Sequence, residues 1–301
     1  MTRQANADSL VSMSERVAVV TDSTAYLPDE MSAEYGILTV PVQVVVSGNA
    51  YREGVDISTA EVAAALADWQ MVTTSRPSPG DFAEIFQQAA TAGATSIVSV
   101  HLSSDLSGTY QTAILAASDS PIPVTVVDSR TLAMSLGFAC IAGARAARNG
   151  ADRRTVAREV SRVALGSKCF FYVDTLEYLR RGGRMGKTAA AFGTAFRVKP
   201  ILHVEDGQVS MLEKARTCSK ALARLQDLAV QAAQGESVDI AVQHIGAPDQ
   251  AAQLARELAS RLDGIDILET EIGAVVGAHV GPGMVSVALA PKASDAVPAI
   301  S

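Results

Sequence analysis

Aromatic residues are scarce in this chain. One Trp, six Tyr and seven Phe make up 5% of its 301 residues, so a hydrophobic core must be built mainly from Val, Leu, Ile and Ala. Positive charge is also short: Lys and Arg total 25 against 32 Asp and Glu, a net −7, whereas a nucleic-acid partner calls for a basic face. Cysteine is limited to Cys140, Cys169 and Cys218, which are odd in number, far apart and without a CxxC pair. Each lies among apolar residues, as expected of buried free thiols in a reducing cytoplasm. No apolar run reaches the roughly 18 residues needed to cross a bilayer, and residues 1–15 lack the apolar middle of a signal peptide. These absences predict a cytoplasmic protein with a flexible lead over residues 1–15 and no transmembrane segment.

Familiar motifs are missing too. There is no GxxxxGK[ST] loop, no GxGxxG after the first strand, no HExxH, no Cys/His cluster and no GxSxG elbow. Binding of ATP or a dinucleotide by those loops is thereby argued against, as is a catalytic metal. No cofactor is expected.

What is present is 48% hydrophobic and 19% charged, enough for a substantial core. Strand-like runs at 17–21, 40–47, 96–102 and 124–127 alternate with helical ones at 28–35, 60–68, 81–92 and after 110. This order predicts an α/β fold with a Rossmann-like parallel sheet, whose ligands sit beyond the carboxyl ends of the strands. Asp22-Ser23-Thr24, residues 103–109 and Asp128-Ser129 emerge there. Further on, strands are expected near 169–173, 201–204, 209–213, 240–243, 267–271 and 285–289, with a hairpin at Asp206-Gly207 and long helices at 220–234 and 249–261. That mixture predicts a second α/β domain with a mixed sheet. The expected division is an N-terminal domain over 16–160, a C-terminal domain over 161–292 and a flexible tail over 293–301, with a ligand cleft between the domains.

Four segments carry chemistry. Residues 103–110, SSDLSGTY, follow a β-branched strand and open a helix, so backbone N–H groups at Ser107, Gly108 and Thr109 converge on a spot suited to a carboxylate or phosphate. The plainer alternative makes Ser107 only a helix cap. Residues 73–79, TTSRPSP, read as a loop joining two helices, with Ser78 a cap and Thr74, Ser75 and Arg76 in a rigid donor loop. Residues 273–283, GAVVGAHVGPG, hold five glycines and a single polar side chain, His279, which is either a core histidine or a ligand group. Between Arg180 and Lys199 lie six basic residues and no acidic one, a patch that is either a solvated face or a contact for phosphate or an acidic partner.

Taken together these segments resemble the DegV family of fatty-acid-binding proteins. The matching pieces are Asp22-Ser23-Thr24 with Leu27-Pro28, Thr74-Ser75-Arg76-Pro77-Ser78, residues 103–111, residues 174–184, Lys199-Pro200-Ile201 and residues 277–283, in family order over residues 17–291. The resemblance implies two α/β domains with one long-chain fatty acid between them. It implies a non-catalytic subunit of bacterial fatty-acid kinase, which offers its bound acid to a separate ATP-binding kinase subunit for conversion to an acyl phosphate. The family's carboxylate contacts correspond to Thr74, Ser107 and His279, with Ser75, Ser104, Gly108 and Thr109 as neighbours. Arg180, Arg181, Arg184 and Arg197 fall where the family engages its kinase or the phosphate. Two positions depart from the family pattern: Arg76 stands in place of a usual Gln, and Asp105 in place of a Gly or small residue.

On this reading the hydroxyls and helix N-terminus hold the carboxylate without a buried Lys or Arg, and His279 donates to it and adjusts its charge by titrating near neutrality. Two other classes remain open. One is a phosphate- or phosphosugar-binding protein, against which the lack of Lys or Arg in residues 103–110 counts. The other is a serine hydrolase using Ser107 and His279, for which no orienting carboxylate can be named.

Overall fold

The computed structural model describes residues 15–68, 70–185 and 198–294. In chain order the first half contains β1 (Val17–Asp22), α1 (Asp29–Tyr35), β2 (Leu38–Val40), β3 (Gln43–Val46), β4 (Asn49–Arg52), α2 (Thr59–Ala67) and β5 (Val72–Ser75). It continues with α3 (Pro79–Thr91), β6 (Ser96–His101), α4 (Thr109–Ala117), β7 (Val124–Asp128), α5 (Ala133–Arg148) and α6 (Arg153–Gly166). Strands β2-β1-β6-β7 form a parallel sheet in that order. Every residue of β6 is buried because helices cover both faces. Val98 and Val100 pack with α5 and α6, while Ile97, one residue out of phase, packs with Phe82 and Phe86 of α3.

The second half holds β8 (Lys168–Tyr172), α7 (Glu177–Gly182), β9 (Lys199–Glu205), β10 (Gln208–Ala215), α8 (Cys218–Ala233), β11 (Val238–His244), α9 (Pro248–Ala259), β12 (Ile267–Glu271), α10 (Ala274–Val280) and β13 (Val285–Pro291). Its six-stranded sheet runs β10-β9-β8-β13-β11-β12 and is antiparallel except between β11 and β12. The expected hairpin joins β9 to β10, with both Asp206 and Gly207 at positive φ. Leu222, Leu225 and Leu254 of α8 and α9 fill one face of this sheet. On the other face the alanine-rich α5 meets Ala241, Ala288 and Ala290, and small side chains let helix and sheet approach closely.

The sequence expectation for 40–47 is corrected at Pro41, which has no N–H for the ladder and ends β2. The chain then leaves for a separate antiparallel sheet, β4-β3-β5. β5 replaces the first part of the loop expected at 73–79. It escaped notice because its residues alternate between partly buried and exposed, and three of four are hydroxyl-bearing. This small sheet and α2 form a flap whose Val42, Val44 and Val62 pack on Ala274 and Val275 of α10. The cap expected at Ser78 is present, in a reciprocal capping box with Asp81, and Ser58 forms a second such box with Glu61.

Helix α6 runs unbroken across residue 160, and the chain enters the second sheet at Lys168. Glu15 accepts a hydrogen bond from the Arg153 N–H (3.0 Å), and the Ser294 N–H donates to Glu159 (2.9 Å). Cys140 and Cys169 are buried, which pushes both thiols up to about 12, whereas Cys218 is only half-buried, 3.0 Å from the Tyr172 hydroxyl. Among the described residues no helix is long and apolar enough to cross a membrane.

Candidate functional site

A cavity of about 280 Å³ lies where the flap, the carboxyl end of the parallel sheet and the six-stranded sheet meet. Most of its wall is apolar, with Leu102, Leu132, Phe171, Val209, Val275 and Met284 contributed by both halves of the chain. Six polar or cationic side chains also line it: Thr74, Ser75, Arg76, Ser107, Arg184 and His279, besides Ser286 on β13.

Thr74 and His279 meet directly, although 205 residues separate them in sequence: Thr74 Oγ1 lies 2.8 Å from His279 Nε2. Thr74 is supplied by β5, held in register by Val44 of β3. His279 is supplied by α10, so seven of the eleven residues of the glycine-rich stretch 273–283 are helical. The other imidazole nitrogen, Nδ1, is buried and has no partner among the described residues. It faces Gly182, where a Cβ would stand 2.2 Å away, so no larger residue fits beneath the ring. An unpaired N–H costs more than an unpaired lone pair, so the proton is assigned to Nε2, which donates to Thr74 Oγ1. The Thr74 hydroxyl hydrogen is then free to donate to a ligand.

Burial, with a smaller contribution from the nearby Arg184 cation, lowers the His279 pKa to about 4. The imidazole is therefore neutral at physiological pH, which corrects the expectation that it titrates near neutrality. Arg184 is fixed by donating from Nε to the Leu106 carbonyl (3.2 Å) and from Nη1 to the Gly182 carbonyl (2.6 Å).

Ser107 lies at the cavity, but the helix cap proper is Gly108, which precedes α4 and offers no side-chain hydrogen bond. The Ser107 hydroxyl pairs with Thr109 Oγ1 (2.8 Å) and accepts the Thr109 N–H (3.3 Å). Ser104 and Thr109 do not line the cavity. The Ser104 N–H donates to Asp128 (3.2 Å), and Thr109 is fully buried. Asp105 turns toward Arg130, 3.5 Å away. Arg180 and Arg181 are exposed and pair with Glu177 at 4.0 and 2.8 Å. Arg181 also lines a second cavity, about 470 Å³, that shares Thr74, Arg184 and His279 with the first. Arg197 lies outside the described residues.

The two segments expected beside residues 103–109 brace that loop instead of facing the cavity. Asp22 accepts the Leu102 N–H (3.1 Å) and bonds His101 Nδ1 (3.0 Å), while His101 Nε2 lies 2.7 Å from the Ser99 hydroxyl. This Ser–His–Asp chain is fully buried, with all three residues at 0% exposure, and none of the three lines the cavity. At the cavity, Ser107 pairs with Thr109 and His279 with Thr74, and no Ser107–His279 bond forms.

Sequence reasoning missed Glu53 and Tyr26, which fix the other end of α10. Glu53 is 7% exposed and accepts the Val275 N–H (2.7 Å), the Tyr26 hydroxyl (3.3 Å) and the Ser23 hydroxyl. Tyr26 Oη accepts the Val276 N–H (3.0 Å). Burial pushes the Glu53 carboxyl up, opposed by these hydrogen bonds. No local pattern marks Glu53, because its partners lie 30 and 222 residues away.

A protein-family model described as an uncharacterised protein of the DegV family matches residues 16–292. A DegV domain-containing protein of Streptomyces coelicolor is 48% identical over 281 residues, covering 93% of this chain and all of the relative. A DegV family protein from Thermus thermophilus, reported for its fatty acid binding, superposes with a TM-score of 0.86 at 34% identity, covering 92% of this chain and 99% of its own. DegV from Bacillus subtilis, described as a fatty acid binding protein, gives 0.85 at 31% identity, covering 93% and 100%. With its fold and nearly its whole length matched, this chain belongs to the DegV family.

Proposed function

We propose that the protein binds one long-chain fatty acid, tail in the apolar cavity and carboxylate at Thr74, Ser107 and His279. It then presents the carboxylate to a separate ATP-binding kinase subunit, which phosphorylates it to an acyl phosphate. The observation that carries this reading is the Thr74–His279 pair at a cavity whose remaining wall is mostly apolar. Fatty-acid binding by the Thermus and Bacillus relatives supports it.

Head and tail contribute differently. Burying the chain is worth about 0.8 kcal/mol per methylene, so about a dozen methylenes give about 10 kcal/mol before the cost of association. Each hydrogen bond to the ionised head adds about 1.5–3 kcal/mol, enough to orient it. The neutral imidazole, by donating to Thr74 Oγ1, leaves that hydroxyl aimed as a donor. In this role the chain has no cofactor and no catalytic residue of its own; the partner supplies ATP and Mg²⁺, and this chain positions the nucleophilic carboxylate. Arg181 and Arg184, beside the second cavity, suit the phosphate or the kinase, with Arg180 nearby. The ligand lies between the N-terminal and C-terminal α/β domains, and the free thiols suit a cytoplasmic protein.

Native mass spectrometry of protein purified from a bacterial host is expected to show a bound long-chain fatty acid. Thr74→Val and Ser107→Ala are each expected to weaken palmitate binding by about tenfold or more. Acyl phosphate is expected only when this protein, fatty acid, ATP and a kinase subunit are combined. Delipidated protein that takes up no fatty acid would overturn the reading.

A further inference from the structure

The cavity mouth carries a cation that no acidic group among the described residues answers. Arg76 follows β5 directly and lines the cavity beside Ser75 and Ser107. Its side chain lies against Gly108, where a Cβ would stand 2.8 Å from Nη1 and 3.0 Å from Cδ. Glycine at this helix cap therefore lets the guanidinium lie over the start of α4. Among the described residues the Arg76 side chain has no ion pair and donates no hydrogen bond, and the internal stretch 186–197 contains no Asp or Glu.

The neighbouring charges are already engaged. Asp105, the acid of the 103–110 loop, faces Arg130 at 3.5 Å. Arg184 donates to two backbone carbonyls. The remaining polar groups at the site are hydroxyls and an imidazole that is neutral at physiological pH. Arg76 thus brings five undirected N–H donors in a planar fork, which matches the two oxygens of a carboxylate or the oxygens of a phosphate.

We propose that Arg76 is a specificity-determining contact for the ligand's head group, selecting ionised, anionic amphiphiles over neutral ones of the same chain length. This rests on the fatty-acid reading above and adds to it the charge that the site selects. Hydroxyls accept and donate to acids, alcohols and esters alike, whereas a guanidinium discriminates by charge. Arg76 is exposed at the mouth, so its contribution falls as salt rises.

The test uses delipidated full-length protein, Arg76→Gln and Arg76→Lys, titrated at about pH 8 with palmitate and with hexadecanol. Arg76→Gln is expected to lower palmitate affinity about tenfold and leave hexadecanol affinity unchanged, while Arg76→Lys recovers most of the loss. Raising NaCl from about 50 to about 500 mM is expected to weaken palmitate binding more in the wild type than in Arg76→Gln. Equal losses for both ligands would assign Arg76 to packing, and no loss for either would leave it a solvated side chain; both overturn the proposal. Wild-type protein that takes up neither amphiphile would refute the fatty-acid reading itself, and this inference with it.

Discussion

Acidification should destabilise the delipidated protein through His279. Burial and Arg184 lower its pKa from 6.5 to about 4 in the fold. Between those values the unfolded chain binds the proton and the folded one does not, so stability falls as pH drops through that window. Above about pH 6.5 the imidazole is neutral in both states and contributes no pH dependence. At about 1.4 kcal/mol per pH unit the full loss is about 3 kcal/mol, reached near pH 4. Carboxylates titrate in the lower part of the same window, so the measurement is a difference: urea unfolding of the wild type and His279→Gln from about pH 7 to about pH 4. The wild type is expected to lose about 3 kcal/mol more than the variant. Imidazole NMR gives an independent reading, because the chain has only four histidines and the variant identifies the missing signal. Equal acid slopes in the two proteins, or a His279 resonance titrating near 6.5, would refute the argument. Palmitate is expected to raise the His279 pKa, because its carboxylate brings negative charge to the imidazole.

Gly182→Ala ordinarily favours a helix by about 1 kcal/mol, but here its Cβ meets His279 Nδ1 at 2.2 Å. The ring is expected to shift and palmitate affinity to fall about tenfold; unchanged affinity with an unchanged His279 titration would contradict this. Glu53→Ala removes the acceptor for the Val275 N–H and the Tyr26 and Ser23 hydroxyls. A loss of about 2 kcal/mol or more is expected in urea unfolding, together with weaker palmitate binding as α10 loosens, and a variant as stable as the wild type would count against the role of Glu53.

The parallel sheet was legible in the sequence because β6 carries Ile97, Val98 and Val100 and strand-like runs alternate with helical ones. The hairpin at Asp206-Gly207 was legible because two successive positive φ angles demand those residue types. β5 was not, since Thr73, Thr74 and Ser75 carry no apolar face and read as a loop until β3 supplies their hydrogen-bond partners. Thr74 and His279 could be named from motif order, but their contact depends on the flap packing against α10, a tertiary event without local signal. Ser104 was drawn into the expected site by proximity in sequence. Its loop places successive residues on different sides, so the Ser104 N–H is turned to Asp128 while Ser107 reaches the cavity. The His279 pKa was misjudged for a related reason: burial is a property of the assembled wall, which composition does not reveal.

Ser99, His101 and Asp22 reproduce the hydroxyl–imidazole–carboxylate relay of a hydrolase to within ordinary hydrogen-bond distances. A template search on side-chain positions alone would stop there and assign an enzyme. Here the relay is a strut. With the serine, the imidazole and the carboxylate all at 0% exposure, its polarity ties the end of one strand to the end of the next. What distinguishes the two uses of the same three side chains is access, so depth belongs in any functional template as a coordinate equal in rank to distance.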